Sequence, residues 1–286
     1  MEKEAIVTKT LHRPIGLYEK AMPDMPWGTR FQLMRKIGYD YFELSLDDLR
    51  VERLDWNPRE IQALHTCASD NGLKMFSMNL SAHRHFPLGS SEARVERMAN
   101  EIMKKAIDFA YESSIRVIQL AGYDVFTKEP STPATKERFI KNLRCGVDYA
   151  AKAGVMLAIE PVDLNFITNC EHAMEYVNLI QSPWLQVYAD FGNVTACGHD
   201  MIADLECAKN HLVAIHVKDG KDGDMRTVPL GEGEVDFIAA FRKLNEIEFN
   251  GPYIIEMWGE DDPNHEFHAQ KALAFTKKHL DLANCL

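Results

Sequence analysis

The stretch LVAIHVKDG, Leu212 to Gly220, begins as an apolar, β-branched run and closes on His216, Lys218 and Asp219. A run with no polar alternation reads as a strand covered on both faces, the situation of a parallel sheet packed under helices. Seven more runs of this kind are spaced along the chain: PIGLYEKA (14–21), YDYFELSL (39–46), LKMFSMNL (73–80), IRVIQLAG (115–122), VMLAIEPV (155–162), LQVYADFG (185–192) and PYIIEMWG (252–259). The intervals carry helical spacing. Val95, Met98, Ile102, Ala106 and Phe109 recur at three- and four-residue steps, as do Val235, Ile238, Phe241, Leu244 and Ile247. Gly38, Gly72 and Gly154 each stand just before a strand, where a helix ending wants a left-handed residue. Eight β–α alternations with no Pro/Gly-rich linker predict an α/β fold, a (β/α)8 TIM barrel forming a single domain over residues 1–286. An open dinucleotide-binding sheet would need a glycine-rich turn after an early strand, and no such turn is present.

Barrels of this class assemble their sites at the C-terminal ends of the strands. The last four predicted strands end in Glu160 (LAIEPVD), Asp190 (VYADFGN), His216 (AIHVKDG) and Glu256 (IIEMWG). A lone histidine or glutamate at a strand end is usually a hydrogen-bonded structural group. Four such residues at equivalent places on adjacent strands converge on one small volume. Three carboxylates that close repel one another unless a cation neutralises them. One histidine with three carboxylates suits a single divalent ion, Mn²⁺, Mg²⁺, Zn²⁺ or Co²⁺.

The bulk composition narrows the partners. A formal net charge of −11 argues against a nucleic-acid groove or an anionic membrane surface, both of which reward a basic face. Six cysteines without a C-x-x-C pair argue against a disulfide framework or a structural zinc site. The opening MEKEAIVTKTLHRP has no apolar core of signal-peptide length. The expectation is a cytoplasmic protein acting on a small molecule, with a homo-oligomer as the expected assembly.

Taken in order, AIEPVD, YADFGN, HVKDG followed by PLGEGEVDF, and GPYIIEMW resemble the sugar epimerase and isomerase barrels related to xylose isomerase. IGLYEKA, NLSAHRHFPLGS and IRVIQLAGYDV extend the resemblance over nearly the whole chain. It is greatest to the 3-epimerases that act on phosphorylated ketopentoses in bacterial L-ascorbate utilisation. The resemblance implies a metal-dependent interconversion of L-xylulose 5-phosphate and L-ribulose 5-phosphate through an enediolate. It carries the family's metal ligands onto Glu160, Asp190, His216 and Glu256, and implies that Glu160 and Glu256 double as the acid–base pair. Two neighbouring readings remain at this stage, an aldose–ketose isomerase and an epimerase of unphosphorylated ketoses. A non-catalytic sugar-binding barrel would require degraded strand ends, and all four are intact. The related endonuclease IV barrels hold several metals, with a histidine three residues after the strand-six aspartate; that place here is Asn193.

A phosphorylated substrate also needs cations or amides. Lys20, Arg84 and Lys218 are rim candidates, and the glycines of GEGEVDF (231–237) are expected to offer amides to an anion or simply to turn the chain while Asp236 caps the next helix. Glu43, closing strand two, is expected at the same rim, binding a substrate hydroxyl or balancing Arg84 or Lys20. His83 is a substrate-contact candidate, and Trp258 a candidate wall against water.

Overall fold

The computed structural model describes residues 13–163 and 166–284; the N-terminal residues read above for a leader, and Cys285, lie outside them. Eight parallel strands close on themselves in sequence order. They are β1 (Ile15–Tyr18), β2 (Tyr41–Ser45), β3 (Lys74–Asn79), β4 (Val117–Ala121), β5 (Met156–Glu160), β6 (Leu185–Asp190), β7 (Leu212–Val217) and β8 (Tyr253–Ile255). Around them run α1 (Trp27–Ile37), α2 (Pro58–Asp70), α3 (Ala93–Glu112), α4 (Pro133–Ala153), α5 (Cys170–Ile180), α6 (Phe191–Ala196), α7 (Met201–Cys207), α8 (Phe237–Glu246) and α9 (His265–Asn284). Each of the eight apolar runs contains one strand.

Local sequence explains the helix boundaries. Asn57 accepts from the Arg59 and Glu60 amides while Glu60 reaches back to the Asn57 amide, and Pro58 opens the helix. Thr132, Pro133 and Thr135 repeat the device at α4. Such a cap stabilises by about 1 kcal/mol. α1 and α4 end on Gly38 and Gly154 with φ of 111° and 68°, the left-handed conformation expected of them. Two details differ from the periodicity reading. Met98 is exposed on the outer face of α3, and Val235 precedes α8, whose inner face is Phe237, Phe241 and Leu244.

The core has two parts. A large cluster lies between strands and helices, and a small one, Val117, Ala158, Tyr188, Ala214 and Ile254, fills the inside of the barrel. Gly16 is tightly enclosed there: a Cβ would come within 2.9 Å of Tyr41 Cβ and 3.2 Å of the Tyr41 carbonyl as well as 2.4 Å of the Ile254 side chain. The strand pairing slips twice. Between Phe42 and Glu43 the register with β3 skips Phe76, and between Val187 and Tyr188 the register with β7 skips Val213. A skipped residue resets the in–out alternation of its strand. Ser77 is thereby registered with Glu43, and Asp190 with His216.

Candidate active site

The ends of β5 to β8 meet as the alternation demands. Glu160, Asp190, His216 and Glu256 are all buried, and each offers a ligand atom that lies within 4.8 Å of the other three. His216 Nδ1 is 2.5 Å from Glu160 Oε1, 3.5 Å from Asp190 Oδ2 and 3.9 Å from Glu256 Oε2. Asp190 divides its oxygens: Oδ1 accepts from the Asn193 amide at 2.7 Å, whereas Oδ2 is buried without a hydrogen bond, 3.0 Å from Lys218 Nζ. Lys218 also donates to Glu256 Oε2 at 2.6 Å. An oxygen with no hydrogen bond of its own, set among two carboxylates, an imidazole nitrogen and the Lys218 ammonium, fits a divalent cation, whose bond would supply the missing partner. All four donors are hard oxygens or an imidazole, and no thiolate is among them.

The electrostatics follow from this crowding. Burial pushes the Glu160 carboxyl up to about 7, against the pull of His216 and with the push of Glu256 and Asp190. For Asp190 burial acts upward too, but Lys218, His216 and the Asn193 amide outweigh it and hold the carboxyl down at about 2. Two neighbouring carboxylates are thus separated in protonation by their surroundings.

The quartet opens into a cavity of ≈ 350 Å³ whose lining includes Lys20, Ser81, Arg84, Tyr123, Asp163, Arg226 and Trp258 together with Glu160, Lys218 and Glu256. A second, more apolar cavity of ≈ 430 Å³ runs along α9 behind Trp258 and touches the quartet only through Glu256. The polar cavity is the one with reactive groups. Trp258 divides the two and lies under the Lys218 ammonium at 5.4 Å and the Arg226 guanidinium at 5.3 Å.

The candidate substrate residues fare unequally. Arg84 faces the cavity over the Tyr123 ring at 5.7 Å and makes no ion pair with a carboxylate among the described residues. Lys20 lines the wall but is committed to Asp47, and Lys218 to Asp190 and Glu256. Two expectations are corrected. Glu43 is not at the rim: it is wholly buried below the quartet and accepts from Ser77 Oγ (2.5 Å), Tyr188 Oη (2.7 Å) and His216 Nε2 (2.8 Å). His83 turns away from the cavity onto the Ala99 carbonyl of α3 (3.2 Å), and burial, opposed by that bond, holds its pKa down at about 4.

Of the two readings of the glycine turn, the plain turn is the one the structure agrees with. Its amides are already occupied, because Asp219 accepts from Gly231 (2.8 Å), Gly233 (3.0 Å) and Val235 (3.3 Å). Gly233 lies so near that a Cβ would meet Asp219 Oδ1 at 2.2 Å. Asp236 does cap α8, accepting from the Ala239 amide at 2.9 Å. Asn193, at the place of the extra histidine of multi-metal barrels, gives its side-chain amide to the Pro161 carbonyl (2.8 Å).

Sequence reasoning passed over Gln119, which donates to Glu160 Oε2, and Ser77 and Tyr188, which hold Glu43. It also missed Arg226, which carries no strand-end signal because it lies in a loop. Among the described residues no helix is long and apolar enough to cross a membrane, and the five described cysteines are unpaired.

Comparison with known proteins agrees with this geometry. The profile of a family described as xylose isomerase-like TIM barrel matches residues 31–279. L-ribulose-5-phosphate 3-epimerase UlaE of Salmonella paratyphi A is 42% identical over 270 residues, 93% of this chain and 95% of its own. Its Escherichia coli counterpart is 44% identical over 258 residues, 88% and 90% of the two chains. Among solved structures, D-psicose 3-epimerase of Clostridium cellulolyticum H10 with D-tagatose superposes with a TM-score of 0.78 at 17% identity, covering 93% of this chain and 99% of its own. At that identity the likeness speaks for the fold.

Proposed function

The chain belongs to the xylose isomerase-like TIM barrel family, and on that premise we propose that it is a metal-dependent 3-epimerase interconverting L-ribulose 5-phosphate and L-xylulose 5-phosphate. The observation that carries this reading is the pairing of Glu160 and Glu256, from strands on different sides of the barrel mouth, in one cavity with an uncommitted arginine. Glu160, Asp190, His216 and Glu256 are the residues that hold the ion. When bound, a divalent cation supplies the positive charge that makes a proton beside a ketone removable.

Inverting C3 requires a base on one face of the sugar and an acid on the other. Glu160 and Glu256 take these roles and exchange them when the reaction runs backwards. Arg84 meets the phosphate, since its guanidinium has an aromatic face beneath it and no carboxylate among the described residues to satisfy it. Trp258 and Tyr123 keep water from the carbanion-like intermediate. The five described cysteines, all unpaired, support a cytoplasmic setting.

Proton NMR of L-ribulose 5-phosphate with the Mn²⁺- or Zn²⁺-treated protein in D₂O tests the proposal. Deuterium at C3 with appearance of L-xylulose 5-phosphate is the expected result. Exchange at C1 would make the enzyme an aldose–ketose isomerase, and turnover restricted to the unphosphorylated ketose would remove the phosphate from the reading.

A further inference from the structure

We infer that Glu43 is a positioning residue for His216: it fixes which imidazole nitrogen faces the quartet, and so sets the affinity of the site for a divalent cation. The inference rests on the metal reading above. Both ring nitrogens face carboxylate oxygens that only accept, Nε2 at 2.8 Å from Glu43 Oε1 and Nδ1 at 2.5 Å from Glu160 Oε1, so the ion of the metal reading would take the place of the hydrogen on Nδ1 and leave the ring hydrogen on Nε2, donated to Glu43. The lone pair of a neutral ring is then on Nδ1, which is the nitrogen turned toward Glu160, Asp190 and Glu256. Rotating the ring by half a turn would break the Glu43 bond and carry the lone pair away from the carboxylates.

Glu43 is itself immobilised. Its other oxygen, Oε2, accepts from Ser77 Oγ at 2.5 Å and from Tyr188 Oη at 2.7 Å. Tyr188 holds the assembly from two sides, because its ring also packs against the His216 ring with centroids 4.5 Å apart. All four residues are fully buried. The two register slips of the barrel fall at these residues: the skipped Phe76 puts Ser77 opposite Glu43, and the slip at Val213 begins at Tyr188. Bulges of this kind re-aim side chains at functional sites, and both act here on the support of one histidine. Glu43 is too deep to touch a sugar lying in the cavity, and it is absent from the cavity lining. Its part is played through His216.

The test is calorimetric titration of Mn²⁺ into metal-stripped wild type, Glu43→Gln and Tyr188→Phe. Outer groups that orient a ligating histidine change metal affinity by about 10–100-fold when replaced, and Glu43→Gln is expected to weaken Mn²⁺ binding by that factor. Tyr188→Phe keeps the ring and removes one donor, so its loss should be less than about tenfold. In nitrogen–proton spectra of the Zn²⁺-loaded protein, the His216 Nε2–H signal of the wild type should shift in Tyr188→Phe and shift or vanish in Glu43→Gln. The Michaelis constant for the ketose at saturating Mn²⁺ should stay within about twofold. Wild-type Mn²⁺ affinity in a folded Glu43→Gln protein overturns the inference, as does a changed Michaelis constant with unchanged affinity. If Glu43→Gln does not fold, Tyr188→Phe decides: unchanged affinity and an unchanged Nε2–H signal overturn it. A wild type that binds no divalent cation overturns the metal reading itself, which separates the two failures.

Discussion

Strands β5–β8 and β1–β4 reach the same cavity with different chemistry. Each strand of the second half ends in a group able to carry charge, Glu160, Asp190, His216 or Glu256, and the four gather within bonding range of one ion. The first half supplies Tyr18, Ser45, Ser77 and Gln119, which are neutral, and one carboxylate, Glu43, set a layer deeper. Tyr18 and Ser45 bond to each other at 3.0 Å, Ser77 bonds Glu43, and Gln119 bonds Glu160. The strands of one half therefore carry the groups proposed to react and those of the other hold them, while the loops after β1, β3 and β4 add Lys20, Arg84 and Tyr123 to the cavity wall. The division keeps mutually repelling charges on adjacent strands, where one ion could neutralise them together, and leaves the opposite wall to fix their geometry.

The comparison can be broken most severely on the reacting side. Stripping divalent ions with a chelator should abolish epimerisation, and adding back Mn²⁺, Mg²⁺, Co²⁺ or Zn²⁺ should restore it, read by product formation. Full activity after verified removal would detach the quartet from the chemistry. Glu160→Gln and Glu256→Gln should each lower kcat by roughly 10²–10⁴-fold, the range of a general acid or base, with the fold intact by circular dichroism. Turnover within tenfold of the wild type in either variant would take the proton-transfer role from that residue.

A smaller effect on the holding side would sharpen the contrast. Gln119→Leu removes the donor to Glu160 Oε2 while keeping the volume, and should reduce kcat/KM by about tenfold. If it proved as damaging as Glu160→Gln, the distinction between touching and holding would fail at β4. The smallest effect concerns His83 and appears only in acid. Its folded pKa, about 4, lies below the unfolded value near 6.5, so between these values the unfolded chain binds more protons. Its contribution to stability is complete above pH 6.5 and is lost as pH falls toward 4. Between pH 7.5 and 5.0 the wild type should lose about 2 kcal/mol through this group. In urea unfolding, His83→Gln should show that much less pH dependence; an identical slope would mean that His83 is not buried neutral.

The reacting half was legible in the sequence because a charge closing an apolar run is costly to bury and therefore needs a reason. The holding half carried no such mark. Ser77, Gln119 and Tyr188 look like ordinary contents of a barrel, and nothing local shows that they point at Glu43 and Glu160. Glu43 drew notice as a strand-end acid, but its depth depends on pairing with β3 across a skipped residue, and the string LKMFSMNL gives no sign of the slip. His83 looked functional among three basic residues in HRH, yet the short turn after β3 rotates it toward α3. The occupation of the glycine turn by Asp219 is a contact over 12 to 16 residues, beyond the reach of any local pattern.

That last contact bears on how such an enzyme can change. Asp219 gathers the amides of Gly231, Gly233 and Val235, and the Glu234 amide donates to the Gly220 carbonyl at 2.8 Å, so the segment leaving β7 is tied shut at its base. Between the ties lies Arg226, at the cavity mouth. A loop closed in this way is a cassette: its tip can be lengthened, shortened or rewritten at little thermodynamic cost to the barrel beneath. Selection for a new sugar can act on that tip, while the residues proposed to move the proton are inherited unchanged.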